Sequence, residues 1–317
     1  MLKGKPLKFG DTIGLVGISG AIHEPETNFP RMIDSIEALG FKVIVADSCR
    51  EQYGYLAGTD QSRADGLNQM FRDDRVDGIV CMRGGYGVTR MLDLVDFDAI
   101  RANPKVVLGY SDITALHTAC HQEAQLVTFH GPMPSHDWPK YPDGTPEADF
   151  TRENMRRAIM DPAPMGSIVN PPEIVPRCVV PGVCEGQLVG GNLSLVAALC
   201  GTPWQLDTRG KVLLLEDIGE YVYRIDSMLT QLRHAGLFND CAGVVLGGFT
   251  NCNEEYEHYA LSLDDVIRDI VAAAGKPVLA NMMIGHVWPK ITVPLGAACR
   301  VDAQAGTLEI IESALDA

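Results

Sequence analysis

The chain has 317 residues, 46% of them hydrophobic and 21% charged, the proportions of a soluble globular protein too long for one comfortable core, so two domains are expected. Forty-one acidic against 26 basic residues leave a formal charge of −15, which repels nucleic acid and anionic membrane and obliges an anionic ligand to meet a local cluster of arginines. No window approaches a spanning helix, and the basic residues 1–8 lead into no apolar stretch, so a cytoplasmic protein is expected.

In chain order, residues 12–16 read as an apolar strand ending in the turn Gly17-Ile18-Ser19-Gly20. Apolar residues at helical spacing over 29–39, with Gly40 past the end, predict a helix, and residues 42–46 a second strand. Thr59 precedes a helix to about Arg72. Residues 78–82 form strand three, followed at once by Arg83-Gly84-Gly85-Tyr86-Gly87 and a helix over 88–94. Strand four spans 106–110, a helix 113–123, and strand five 126–129. Strands alternating with helices imply a parallel sheet whose ligands sit beyond the carboxyl ends of the strands. The turns at 17–20, 83–87 and 109–112 all fall on that edge.

Residues 131–148 are rich in Pro, His and Trp. After a helix ending near Met160, the prolines of Asp161-Pro162-Ala163-Pro164 and Asn170-Pro171-Pro172 mark a linker. Strands are expected at 185–189, 212–215 and 243–246 and in a β-rich tail over 291–311, with helices at 192–199, 225–235 and 263–274. Nine cysteines, an odd number with no Cys-x-x-Cys pair, read as reduced small hydrophobes rather than a disulfide framework or a zinc site.

Three stretches carry chemistry. In Gly109-Tyr110-Ser111-Asp112 a serine tops a strand-turn-helix, and the next backbone N–H groups open a helix, where negative charge is stabilised. The pattern is near the hydrolase elbow Gly-x-Ser-x-Gly, with Ile113 in place of the second glycine. On this stretch alone the simpler reading is that Ser111 or Asp112 caps the helix. Glu216 ends the apolar run Leu213-Leu214-Leu215, where a buried carboxylate needs a partner and an exposed one does not. His286 follows Gly285 in a loop bounded by Pro289, a setting more often of a surface histidine. Together, Ser111, Glu216 and His286 lie at strand ends in the order nucleophile, acid, base, as a serine triad requires.

Other groupings compete. His117 and His121 stand at i and i+4 near Cys120, His130 and His136, a metal-like spacing without the Glu of a His-Glu-x-x-His base. The glycine turns match neither dinucleotide nor Walker patterns. Close backbone approach to Ser111, with a second N–H for an oxyanion, accounts for Gly84 and Gly85, as does a tight turn. Arg224 opens a helix whose stripe Ile225, Met228, Leu229 and Leu232 is core. It faces a cleft as a carboxylate fork or pairs with Asp226 or Glu220.

Arg83 to Gly87, Gly109 to Asp112, Gly190-Gly191-Asn192-Leu193, Leu215 to Glu220, Tyr223-Arg224-Ile225-Asp226 and Gly285-His286 together resemble the LD-carboxypeptidases, a serine peptidase family, over about residues 10–311. The resemblance implies a flavodoxin-like α/β domain over 1–165 carrying the nucleophile, a linker over 166–182, and a smaller, β-rich α/β domain over 183–317 carrying acid and base, usually as a homodimer without cofactor or metal. It implies Ser111 as nucleophile, Glu216 and His286 as its partners, and the N–H groups of Asp112 and of Gly84 or Gly85 as oxyanion donors. Arg83, Tyr86, Asn192 and Arg224 are the expected substrate contacts, Arg224 by position alone. Such enzymes remove the terminal D-alanine of murein tetrapeptide in cytosolic cell-wall recycling. A branch of the family resembles microcin-immunity proteins, which cleave an amide to a nucleotide analogue. A non-catalytic small-molecule binding protein on the same scaffold is the alternative of another class.

Overall fold

The computed structural model describes residues 1–138, 144–253 and 261–316, so that 139–143 of the Pro-, His- and Trp-rich stretch lie outside the described residues. The first half supplies strands β1 (Thr12–Val16), β2 (Lys42–Val45), β3 (Gly78–Cys81), β4 (Val106–Gly109) and β5 (Thr128–His130). They run parallel in the order β2-β1-β3-β4-β5, the flavodoxin-like order with its switch point between β1 and β3. Strands β3, β4 and β5 are buried at every position, as parallel strands covered on both faces must be. The turns at 17–20, 83–87 and 109–112 all leave the carboxyl ends of these strands.

Helices α1 (Pro25–Ala38), α2 (Asp60–Arg72), α3 (Val88–Met91), α4 (Phe97–Ala102), α5 (Thr114–Ala119) and α6 (Pro146–Met160) belong to this half. Helix α1 begins four residues before the apolar stripe does, because Pro25 suits a first turn that needs no N–H donor. Thr59 caps α2, its hydroxyl accepting from Ser62 N at 3.1 Å. The expected helix over 113–123 is divided into a 3-10 turn at Ser111–Ile113, α5, and a π turn at Cys120–Ala124.

The second half contains β6 (Gly166–Ile168), β7 (Arg177–Val180), β8 (Val183–Asn192), β9 (Val212–Ile218), β10 (Gly243–Thr250), β11 (Val278–Ala280), β12 (Val293–Leu295), β13 (Ala298–Asp302) and β14 (Thr307–Ile310). Its helices are α7 (Leu193–Leu199), α8 (Val222–His234), α9 (Leu237–Asp240) and α10 (Leu263–Val266). Eight of these strands form a sheet in the order β6-β14-β13-β8-β9-β10-β11-β7, parallel from β8 to β11 and antiparallel on both flanks. Alternate residues of β9 serve two cores. Val212 and Leu214 pack with the first half, whereas Leu213 and Leu215 pack with the Ile225, Leu229 and Leu232 stripe of α8.

Two segments depart from the division read in the sequence. The stretch 166–182, expected as a linker, supplies β6 and β7, which close opposite edges of the second sheet. Prolines are tolerated beside edge strands, where a missing N–H costs no central ladder bond, so proline density there did not mean absence of strand. Strand β12 leaves the β-rich tail and pairs antiparallel with β5, Val293 opposite His130, as the sixth strand of the first sheet. Among the described residues no helix is long and apolar enough to cross a membrane.

Candidate active site

The buried strand β4 ends at Gly109, where only glycine fits comfortably, since a Cβ there would lie 3.0 Å from Ile113 and 3.1 Å from Cys81. Tyr110 is extended, and Ser111 then adopts φ +65°, a left-handed conformation that non-glycine residues rarely take. Such strain persists where surrounding structure enforces it. Here it turns the hydroxyl out of the sheet edge and toward the backbone of Gly84, where an added Cβ would sit 2.9 Å from Ser111 Cβ and 3.1 Å from its Oγ. Among the described residues no side chain caps the 3-10 turn or α5, so the capping reading of Ser111 and Asp112 does not hold for their own helix. Asp112 is fully buried and reaches backward instead, accepting from Ser19 Oγ at 2.6 Å and from the backbone N of Val88 at 3.0 Å. Burial pushes its carboxyl up, against those hydrogen bonds. All three glycine or serine turns are thereby joined at one point.

From the other sheet, β9 delivers Glu216 with no exposed surface. Its Oε2 accepts from the backbone N of His286 at 3.0 Å and lies 2.7 Å from His286 Nδ1. The loop approaches this closely because residue 285 is glycine. Its φ is +97°, and a Cβ there would stand 2.3 Å from Glu216 Oε2. Thr250 Oγ1 donates to the carbonyl of His286 at 2.6 Å, fixing the loop from β10. The Tyr110 ring lies 4.8 Å from the imidazole, between centroids, so the residue before Ser111 packs on the histidine itself.

Ser111 and His286 both line a cleft of about 590 Å³, with Arg83, Gly84 and Gly85 in the same wall. Arg83 is held at the rim, donating from Nη1 to Ala21 O at 2.7 Å and from Nε to Gly84 O at 3.2 Å. The remaining sequence candidates stand outside that lining. Tyr86 is half exposed, its ring 5.8 Å from that of Tyr55. Asn192 is buried as the cap of α7, accepting from Leu195 N at 3.3 Å and donating to Asp217 Oδ1 at 2.9 Å. Arg224 is exposed with its Nε 3.6 Å from Glu220, the local pairing left open by the sequence.

Sequence reasoning missed a second layer. Lys290, almost fully buried, places Nζ 2.9 Å from Asp137 and 3.6 Å from the centroid of the Tyr110 ring, and both it and Asp137 reach the cleft. The only hint was the density of charged and aromatic residues around 131–138 and 286–290.

The competing metal grouping disperses. His117 Nε2 meets Gly109 O at 2.9 Å, and burial pulls its pKa down to about 4. His121 Nε2 meets Gln187 at 3.2 Å, His136 Nδ1 meets Ser135 at 2.7 Å, and burial pushes the Cys120 thiol up to about 12. Among the described residues no three His, Cys, Asp or Glu are grouped to hold a metal ion.

Known proteins match nearly the full length of the chain. Residues 13–131 match the LD-carboxypeptidase N-terminal domain and residues 185–301 the LD-carboxypeptidase C-terminal domain. A probable murein peptide carboxypeptidase of Bacillus subtilis is 41% identical over 313 residues, covering 97% of this chain and 94% of the relative. Among solved structures, the microcin C7 self-immunity protein superimposes with a TM-score of 0.91 at 25% identity over 100% of both chains. The muramoyltetrapeptide carboxypeptidase of Oxalobacter formigenes gives 0.81 at 25% identity over 94% of this chain and 97% of the other. Matches to both domains, together with a relative 41% identical over 97% of the chain, place it in the LD-carboxypeptidase family, the serine-type peptidases.

Proposed function

We propose that this chain hydrolyses the bond between an L centre and a terminal D-alanine of murein tetrapeptide, by a Ser-His-Glu mechanism without a metal. The observation that carries the reading is the 2.7 Å contact of buried Glu216 with His286 Nδ1 in a loop that shares its cleft with Ser111 at φ +65°. With Nδ1–H held by the carboxylate, Nε2 carries the lone pair and takes the proton of Ser111 as Oγ attacks the carbonyl carbon. Backbone N–H groups of Asp112 and of Gly85 or Gly84 receive the oxyanion. The imidazolium then gives its proton to the departing D-alanine nitrogen, and water, deprotonated by the same ring, releases the acyl group from the serine ester. The substrate is anionic and the protein strongly acidic, so Arg83 at the cleft wall supplies the local positive charge that long-range fields do not.

The D-alanine released by purified protein from murein tetrapeptide tests this. Ser111→Ala is expected to remove about a thousandfold or more of the rate, with a chelator changing nothing. Activity that survives Ser111→Ala and is lost with chelation overturns the proposal. The close fit to the microcin self-immunity protein supports a second reading, cleavage of an amide joining an aminoacyl group to a nucleotide analogue. Assaying such a conjugate beside the tetrapeptide decides between them by kcat/KM. We further propose a cytoplasmic homodimer. All nine cysteines are free thiols, which agrees with a reducing compartment.

A further inference from the structure

Beneath the Glu216–His286 pair lies a buried ring that the mechanism above does not use. His130 ends β5, its backbone paired with Gly109 of β4 on one side and Val293 of β12 on the other, and its side chain is 1% exposed. Among the described residues neither ring nitrogen has a hydrogen-bond partner, and neither does Glu216 Oε1, the oxygen that does not face His286. His130 Nε2 and Glu216 Oε1 are 3.8 Å apart. Buried polar atoms are nearly always satisfied, so a donor-capable nitrogen and an acceptor oxygen left over side by side call for an account.

The gap itself limits the answer. A bridging water needs about 2.8 Å to each neighbour, which sets the bridged atoms roughly 4.5 Å or more apart. At 3.8 Å the two atoms stand closer than a water-bridged pair normally does, and a movement of less than 1 Å makes a direct N–H···O bond. We propose that His130 is a positioning residue for the reaction: as the neutral tautomer protonated at Nε2, it donates to Glu216 Oε1 and keeps Oε2 turned onto His286 Nδ1. The inference rests on the triad reading given above.

The groups around the ring explain why a histidine suits the place. Glu216 faces it from β9, His117 from α5 with centroids 6.3 Å apart, Tyr110 edge-on at 5.9 Å, and His286 and Lys290 lie on the segment that leads into β12. Burial above all, then repulsion from His117, His286 and Lys290, holds the ring neutral well below the ordinary histidine range. A neutral donor orients the carboxylate without cancelling its charge, which stays available to the imidazolium formed on His286. A cation such as lysine at the same point would take that charge for itself. Gly191 of β8 lies against both Thr114 and the ring: a Cβ there would come 2.6 Å from Thr114 Oγ1 and 3.3 Å from His130 Nδ1.

The test compares full-length wild type with His130→Ala and His130→Gln. His130→Ala is expected to lower kcat at least tenfold with KM unchanged and to move the acid limb of kcat/KM to lower pH, because a wandering carboxylate stabilises the protonated base less. His130→Gln, whose amide N–H reaches the same oxygen, is expected to recover most of both. Long-range proton–nitrogen spectra give a readout independent of turnover: His130 should appear protonated at Nε2 only, with that proton's resonance displaced in Glu216→Gln. A ring protonated at Nδ1, or a folded His130→Ala with wild-type kcat and pH profile, overturns the inference. Should no L,D peptide be turned over at all, the peptidase reading fails while the spectra still report the contact, so the two failures stay distinct.

Discussion

Ser111 illustrates how neighbours, rather than the residue's own preference, set a conformation. Its left-handed φ of +65° is held between the crowded Gly109 behind it and Asp112 ahead, whose carboxylate is tied to Ser19 and Val88. The same crowding makes His117 a measurable probe. Buried against Gly109 O, it titrates near 4 when folded, while the unfolded chain takes its proton near the ordinary 6.5. Between those values the unfolded state binds more protons, so stability rises with pH. Acidification from about 6.5 to 4 removes on the order of 3 kcal/mol from this group, with His130 acting in the same direction. The buried carboxyls of Asp112 and Asp217, pushed up by burial, act oppositely above the ordinary carboxylate range. Urea titrations of wild type and His117→Gln across this window should give a flatter pH dependence in the variant; parallel curves reject the assignment. Ser111, Glu216 and His286 could be picked out as candidates because each follows a glycine or an apolar run within two residues. His130 and Lys290 could not, since what gives them meaning is contact with residues far away in the chain.

At the scale of elements, the β8–α7 junction shows a local motif recruited for long-range structure. Asn192 ends β8 and caps α7, while its amide and the Ser194 backbone N and hydroxyl satisfy Asp217 at 2.8–2.9 Å. Asp217 follows Glu216 directly, so this cap steadies the strand end that carries the acid. Asn192→Ala should therefore cost about 2 kcal/mol, combining a lost cap with an under-satisfied buried carboxyl, and urea denaturation would read it. A loss within about 0.5 kcal/mol, as at ordinary surface positions, would contradict the role. The parallel strands and long helices were readable because their burial is continuous or their stripe regular. The six-residue α4 was not, being too short to establish a period, nor were the edge strands β6 and β7 among their prolines.

For the whole molecule, the decisive element is β12. A three-residue apolar strand says nothing in sequence about which sheet it will join, and its partner β5 lies more than 160 residues earlier. By returning to the first sheet it carries Lys290 with it, and the backbone N of Lys290 donates to Thr151 of α6 at 3.1 Å. The shared core and this return crossing predict one cooperative unfolding transition, coincident by far-ultraviolet circular dichroism and tryptophan fluorescence. A fragment of residues 1–165, which leaves the β5 edge unpaired, should lack that transition; two separated transitions in the intact chain would contradict the coupling. The crossing also sets an order on biosynthesis. A nascent chain cannot close its first sheet until residue 295 has cleared the ribosome, so every product truncated before that point keeps an open β5 edge, the kind of exposed strand that chaperones and proteases sort.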